Sequence, residues 1–353
     1  MTETTLPAPT LESYQALKAG NPTLRARDIA DRMGVSEGAL AELRTASRHV
    51  RRLALRGSDF LLLMSALRDV GPVMTLTRNE AAVHETHGQI EQVSGQDTRG
   101  QVVGPIDLRM FFRHWQAGYE VAEEARSGLR RSFQIFDTTG KSVLKIYGVG
   151  GTRWDRWAKI VDHFADAASM ITNFAPPIQQ SKDAPDEEID RAVLRREWLA
   201  LEHSHNFPGM LQELGIGREH AMRLAGEDLA QSLSPQVLEH ILSTAAERQV
   251  PIMCFVGNTG CLQIYTGPVR SIKPMGPWLN ILDPTFNLHL RSDRIASLWR
   301  VIKPTQTRGT ITSIEAFDGD GELILQLFGQ RPPGEGERDA WRGMVRAALE
   351  GAT

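Results

Sequence analysis

The chain has 353 residues, of which 24% are charged and 41% are hydrophobic, and its formal net charge at pH 7 is −3. This length exceeds the size at which one hydrophobic core usually stops growing, so two domains are expected. The near balance of 40 basic and 43 acidic residues excludes a net positive field that would draw the whole chain to nucleic acid or anionic lipid.

Three further features bear on the compartment. The most apolar run, Phe60 to Leu67, is too short for a transmembrane helix. The first nine residues contain no basic segment followed by an apolar stretch, so no secretory signal is predicted. Cys254 and Cys261 are the only cysteines, which excludes a disulfide scaffold and a thiolate zinc site. We therefore expect a cytoplasmic protein without membrane insertion.

In chain order, helical patterns cover about 10–70 and about 190–248, and short apolar segments separated by Gly, Asp and Asn turns follow each of them. The segment SFQIFDTTGKSVLKIYG predicts a hairpin, because apolar residues alternate on both sides of a turn at Gly140. An amphipathic pattern with a tryptophan closes each half. Consecutive strands without helical crossovers predict the α+β class, with two large antiparallel β-sheets each flanked by helices.

The two halves repeat one another. Matching residues are separated by an offset that rises slowly from 179 to 184 along the chain. These pairs are Asn79 with Asn258, Leu108 with Leu288, Phe136 with Phe317, and Trp157 with Trp341. Small loop insertions produce such a drift, whereas chance matches would scatter, so an internal duplication is predicted. We place an N-terminal repeat at 10–174 and a C-terminal repeat at 190–349, with a proline-rich, acidic linker at 175–189.

Residues 27–44 have the spacing of a helix-turn-helix. The small, turn and buried positions of that motif are Ala30, Gly34 and Leu40. The exposed face of its second helix is expected to carry Glu37, Glu42 and Arg44. Because two of these three side chains are acidic, they match phosphate poorly. A helix pair that packs on the sheet is therefore favoured, and a DNA-binding regulator is the alternative.

Among the ten histidines, His203 and His205 stand out. They lie near the end of the amphipathic stretch EWLALEHSHNF, beside Phe207. A neutral imidazole that leaves a helix end beside aromatic surface is a candidate metal or haem ligand. His84 lies in a predicted strand and is a second candidate of the same kind.

Seven motifs together resemble one family. In order they are ARDIADRMGV, RNEAAVHE, IDLRMFFRHW, EWLALEHSHNF, CFVGNTGCLQIYTG, WLNILDPTFNLHL and QLFGQR. They resemble the haem-trafficking and haem-degrading proteins of Gram-negative bacteria, the HemS/ChuS-type hemin transport or hemin-degrading factors. The resemblance runs from about Tyr14 to Trp341. It implies a cytoplasmic protein of two repeated halves that hold one haem (iron protoporphyrin IX) in a cleft between them.

The resemblance also assigns iron-side residues. It implies His205 as the proximal haem ligand in the second half, with His203 as the alternative. Arg109 of the IDLR motif corresponds to the distal arginine, and His84 to a further histidine that matters in some members. A guanidinium stays protonated and has no lone pair for iron, so Arg109 is expected to donate hydrogen bonds to a distal ligand. The alternative for Arg109 is a salt bridge with Asp107.

Propionate-binding residues follow from the same resemblance. They are Arg218, Lys303, Gln330 and Arg331. The family often has LYGQR where this chain has LFGQR, so Phe328 keeps the ring near the haem but lacks the hydroxyl.

The expected function is haem carriage after import, with iron-releasing degradation as an additional, undecided enzymatic activity. Expected partners are haem itself and either the inner-membrane haem importer or a downstream haem oxygenase, without stable nucleic acid. A haem-responsive helix-turn-helix regulator is the alternative function.

Overall fold

The computed structural model describes residues 9–125, 128–165, 172–176, 185–332 and 334–350. The chain divides into two compact units. Unit 1 consists of Met1–Thr77, Thr86–Ile178 and Asn258–Leu262, and unit 2 of Arg78–Glu85, Gln179–Gly257 and Gln263–Thr353. Each unit therefore takes in a short segment from the other half of the sequence. The repeat boundaries at 174 and 190 stay a prediction.

Ten α-helices lie in the described residues. Those of the first half are α1 Leu11–Gly20, α2 Ala26–Arg32, α3 Glu37–Arg44, α4 Asp59–Ala66 and α5 Trp154–Phe164. Those of the second half are α6 Arg191–Leu199, α7 Phe207–Glu213, α8 Arg218–Ala225, α9 Val237–Glu247 and α10 Asp339–Glu350. Short 3-10 helices span Leu67–Val70, Phe112–His114, Asp186–Glu188, Ser204–Asn206 and Ser292–Arg294. None of the helices described is long and apolar enough to cross a membrane.

Eighteen strands lie in the same residues. The first nine are β1 Val50–Leu53, β2 Val73–Arg78, β3 Ala82–Gly88, β4 Gln92–Gln96, β5 Arg99–Val103, β6 Asp107–Met110, β7 Trp115–Ala125, β8 Gly128–Asp137 and β9 Ser142–Gly148. The others are β10 Ala230–Leu233, β11 Ile252–Gly257, β12 Cys261–Gly267, β13 Ile272–Met275, β14 Trp278–Leu282, β15 Phe286–Arg291, β16 Ser297–Thr305, β17 Gly309–Phe317 and β18 Leu323–Gly329. They form two nine-stranded antiparallel sheets, so the predicted α+β class is confirmed.

The strand order shows the duplication. In unit 1 the neighbours run β1-β7-β8-β9-β2, and β4, β5 and β6 form a second group. In unit 2 the neighbours run β10-β16-β17-β18-β11, and β13, β14 and β15 form the matching group. The predicted hairpin is β8 and β9, which pair antiparallel across the turn at Gly140. The same order in both units is what an internal duplication of one α+β repeat produces.

The repeated asparagines build equivalent turns. In unit 2 the Asn79 Oδ1 accepts hydrogen bonds from the backbone N–H groups of Ala81 and Ala82, and its Nδ2 donates to the Ile324 carbonyl at 2.7 Å. In unit 1 the Asn258 side chain does the same. Its acceptor and donor partners are Gly260, Cys261 and Val143. A buried turn needs all its backbone groups bonded, and an Asx side chain supplies these bonds.

The helix-turn-helix spacing corresponds to α2 and α3, which follow one another across Gly34 at a φ of +65°. The expected exposed face of α3 is wrong. Glu37, Glu42 and Arg44 are 7%, 8% and 5% exposed, and each lies in an ion pair. Their partners are Lys145, Arg52 and Glu123. Because α3 turns its charged side chains toward the strands of unit 1, the structure supports a packing role for this segment.

Candidate functional site

One face of the β16–β18 strands in unit 2 carries charged and aromatic side chains. Strand alternation and register place Lys303, Ser313, Glu315 and Phe328 on this face. Helices α6, α7 and α8 cover part of it through an apolar cluster that includes Phe207. The face therefore combines an apolar cover with a row of buried polar groups. We call it the β16–β18 face.

Glu315 is the centre of a buried ion cluster on this face. Its side chain is fully buried. Arg218, at the start of α8, donates to both carboxylate oxygens, with Nε–Oε2 at 2.7 Å and Nη2–Oε1 at 3.1 Å. Lys303 Nζ and Ser313 Oγ donate to Oε1 at 2.6 and 2.7 Å. Burial by itself raises the pKa of Glu315, but the charges and hydrogen bonds of Arg218 and Lys303 hold it well below the ordinary range.

The cluster has more cations than anions. Lys303 is 2% exposed, and burial lowers its pKa to about 8, with Arg218 and Arg331 acting in the same direction and Glu315 opposing them. Burial also lowers the pKa of Arg331, and the neighbouring Arg308 adds to this effect. Two cations, Arg218 and Lys303, thus share one fully buried carboxylate, and Arg331 lies close enough to act on Lys303. An uncompensated cation in a low-dielectric place costs free energy unless an anion joins it.

Aromatic rings lie against the same cations. The Phe207 ring centroid is 5.0 Å from the Arg218 guanidinium carbon and 4.9 Å from Lys303 Nζ. The Phe328 centroid is 5.8 Å from Lys303 Nζ and 5.9 Å from the Arg331 guanidinium carbon. All four distances fall within the range of a cation–π contact. Phe255 extends the aromatic surface, with its ring centroid 5.0 Å from that of Phe328.

The two candidate histidines lie beside this face in the same unit. They belong to the segment 201–206 between α6 and α7, which we call the histidine loop. Trp198 at the end of α6 holds its start, since the buried indole donates to the Ile302 carbonyl at 2.9 Å and lies 4.5 Å from the Phe207 ring. The His205 side chain is exposed, and that of His203 is partly exposed. The histidine loop therefore leads directly into Phe207, whose ring contacts the ion cluster.

Gln330 follows β18 and is partly exposed. Its backbone N–H donates to the Pro251 carbonyl at 2.9 Å. Gln330 lines a cavity together with Gln249 and Arg270. The described contacts of Gln330 are thus with residues next to the start of β11. Arg331, by contrast, contacts the ring of Phe328.

Arg109 and His84 have different surroundings. Arg109, on β6 of unit 1, forms an ion pair with Asp107 and donates to the Leu108 carbonyl at 3.1 Å. The salt bridge expected as the alternative is therefore present. Burial raises the pKa of Asp107 although Arg109 opposes the shift. His84 is fully buried in unit 2, 4.9 Å from the Phe286 ring, and burial lowers its pKa to about 3. This position fits a neutral imidazole of the core.

Glu315 and Ser313 were missed by the sequence reasoning, and Phe207 was noted only as an aromatic neighbour of the two histidines. One signal was available: Glu315 lies between Ile314 and Ala316 in an otherwise apolar strand pattern. A carboxylate in a buried strand requires a buried partner. The identity of that partner depends on strand register, which the sequence does not show.

Comparison with known proteins identifies the family to which this chain belongs. The family model described as the haemin-degrading HemS.ChuX domain matches residues 34–164 and 215–348. The chain belongs to this family, and the resemblance drawn from the seven motifs is confirmed.

Individual members of the family are similar to this chain over nearly its whole length. The hemin transport protein HemS of Yersinia enterocolitica is 36% identical over 339 residues, and the match covers 95% of each chain. Among solved structures, holo-PhuS, a heme-binding protein from Pseudomonas aeruginosa, has 43% identity and a TM-score of 0.90, covering 95% of this chain and 97% of that one. ChuS, described as an E. coli heme oxygenase, has 34% identity and a TM-score of 0.85, covering 96% and 98%.

Proposed function

We propose that this protein binds haem at the β16–β18 face and carries it in the cytoplasm during bacterial haem uptake. The observation that carries the proposal is the pair of cations, Arg218 and Lys303, that share the single carboxylate of Glu315 next to aromatic rings. The names of the relatives support it, because they describe hemin transport and heme binding.

The chemistry of the ligand fits this face. Haem is a flat apolar disc with two propionate carboxylates at one edge. Contact of the disc with Phe328, the aromatic ring of this face that keeps some exposure at 8%, removes the disc's apolar area from water and favours binding. A propionate placed beside Lys303 gains a charge-assisted hydrogen bond and compensates the buried cation. Arg218 and Arg331 are proposed as further propionate-binding residues, and Gln330 as a neighbouring one.

An exposed imidazole completes the site. We assign His205 as the proximal ligand, because its ring is exposed at the histidine loop, and a neutral imidazole nitrogen is a common axial ligand of haem iron. His203 stays the alternative. His84 is not carried forward, because its buried position supports a packing role.

Arg109 is proposed as a residue that would supply hydrogen-bond donors for the chemistry of bound haem. Its guanidinium offers five N–H donors, of which the contacts with Asp107 and Leu108 use only some. The ion pair then orients the side chain.

Haem degradation is a second proposed activity, favoured by the relative described as a heme oxygenase. When bound, haem itself supplies the oxygen chemistry, whereas the protein supplies orientation and polarity. Ring opening also needs an electron donor. The proposed partners, an inner-membrane importer or a downstream haem oxygenase, would exchange haem with this protein.

The test of the proposed function is a hemin titration followed at the Soret band. We expect saturation at one equivalent. His205→Ala should shift the Soret maximum and weaken binding, whereas the matched control His240→Ala, at an exposed histidine of α9, should leave both unchanged. A wild-type protein without a saturable Soret change would contradict haem binding. A wild-type spectrum in His205→Ala would move the ligand to another histidine.

A further inference from the structure

The tip of the β16–β17 hairpin is fastened to the histidine loop. Gln306 N–H donates to the Leu201 carbonyl at 3.2 Å, and Thr307 N–H to the Glu202 carbonyl at 3.4 Å. The Thr307 hydroxyl makes two more contacts, to the Glu202 carbonyl at 2.9 Å and to His203 Nδ1 at 2.7 Å. A threonine more than a hundred residues away in sequence therefore contacts an imidazole of the loop directly.

The two hydroxyl contacts determine where the protons lie. A threonine hydroxyl has one hydrogen to donate and can accept through its oxygen. The Glu202 carbonyl oxygen can only accept, so the contact at 2.9 Å requires the hydroxyl hydrogen. The hydroxyl oxygen must then accept from His203, which means that Nδ1 carries the hydrogen. In the neutral ring, Nε2 is left with the lone pair.

We propose that Thr307 is a positioning residue that holds His203 as its Nδ1–H tautomer, so that Nε2 of His203 is presented as a ligand for haem iron. The inference rests on the proposed function and adds His203 to its iron-side machinery. Metal-bound histidines usually donate their second ring N–H to an oxygen, which fixes the tautomer and the ring orientation. Thr307 provides that oxygen before any haem arrives.

Glu202 is the charged group that could favour the other tautomer of His203, by accepting a hydrogen bond from Nε2. Its Oε1 lies 3.8 Å from His203 Nε2, which is too long for a hydrogen bond. A carboxylate in closer contact would favour a hydrogen on Nε2 and remove the lone pair. Because the Thr307 contact is the shorter one, the hydroxyl decides the tautomer.

The first test uses haem-free protein, so it does not depend on haem binding. Nitrogen-15 NMR distinguishes the protonated ring nitrogen of a neutral imidazole from the unprotonated one. We expect Nδ1–H at His203 in the wild type and in Thr307→Ser, which keeps the hydroxyl. Thr307→Val, of similar shape, should shift His203 toward the Nε2–H tautomer. An Nε2–H tautomer in the wild type, or an unchanged tautomer in Thr307→Val, would overturn the proposal.

The second test isolates His203 as a ligand. In His205→Ala protein, a second substitution, Thr307→Val, should weaken hemin binding about tenfold. It should also remove the spectroscopic signature of imidazole ligation. The substitution Thr307→Ser in the same protein should preserve both the affinity and the signature. In His203→Ala protein, Thr307→Val should change nothing. Equal effects of Thr307→Val in the two backgrounds would show a purely structural role and refute the assignment. If the wild type binds no hemin, the proposed function fails, and the NMR result still stands alone.

Discussion

The two units place ion pairs on equivalent strand faces but balance them differently. In unit 1, the cations around α3 each lie against a separate carboxylate. These pairs are Lys145 with Glu37, Arg52 with Glu42, and Arg44 with Glu123. In unit 2, Arg218 and Lys303 share Glu315. The two copies therefore share one architecture, whereas the ratio of cations to carboxylates differs between these two clusters.

The counterparts show how the difference arises. Three pairs of equivalent positions differ in charge between the units. They lie at the start of α3 and α8, on β8 and β17, and on β9 and β18. Their pairs, all 181 residues apart, are Glu37 and Arg218, Gln134 and Glu315, and Lys145 and Gln326. The helix supplies the anion in unit 1 and the cation in unit 2. Since Arg218 already pairs with Glu315, Lys303 is the additional cation.

The largest expected effect is on stability. Lys145→Met should lower the free energy of unfolding by about 3 kcal/mol, because it breaks a buried ion pair by removing the cation that contacts Glu37. Lys303→Met should cost less than about 1 kcal/mol, because Glu315 keeps its two bonds to Arg218. Urea unfolding of both variants measures this. Equal losses would show that the two buried lysines have the same structural role.

For hemin affinity, we expect Lys303→Met to have a larger effect than Lys145→Met. Lys303→Met removes a charge-assisted hydrogen bond worth about 2 kcal/mol, so the Kd should rise roughly 30-fold. Lys273→Met, at an exposed lysine of β13, is the matched control and should bind as the wild type does. Soret titrations at low ionic strength give both values. An unchanged Kd in Lys303→Met would remove this lysine from the site.

Hemin affinity should also depend on pH through the charge of Lys303. The pKa of Lys303 is lowered to about 8, so its charge is present below that pH and is lost as the pH rises through it. Hemin affinity should therefore fall several-fold across this range, and binding should take up protons near pH 8 because an added anion favours the charged lysine. The Lys303→Met variant should lack this titration. A wild-type affinity that is flat across the range would contradict the role of Lys303.

The smallest effect is expected at Phe328. Phe328→Tyr restores the hydroxyl that the family motif often carries. Because the ring and its contacts with Lys303 and Arg331 are already present, the Kd for hemin should change by no more than about twofold. A much larger gain would show that the missing hydroxyl limits binding in this chain.

The sequence predicted the duplication and the α+β class because the repeat pairs are structural, as the two Asx turns at Asn79 and Asn258 show. It did not show Glu315 at the centre of the ion cluster, since alternation identifies the face of a strand but not the residues that meet across strands. The same limit applies to Thr307 and His203. For α3, helical periodicity could not show that its charged side faces the strands.

The cations of the β16–β18 face are proposed to recognise the carboxylates of haem. Comparing the affinity of hemin with that of its dimethyl ester, in wild-type protein and in Lys303→Met, tests this proposal most directly. We expect the wild type to prefer the free acid by about tenfold or more, and the preference to disappear largely in the variant. Equal wild-type affinity for acid and ester would contradict it.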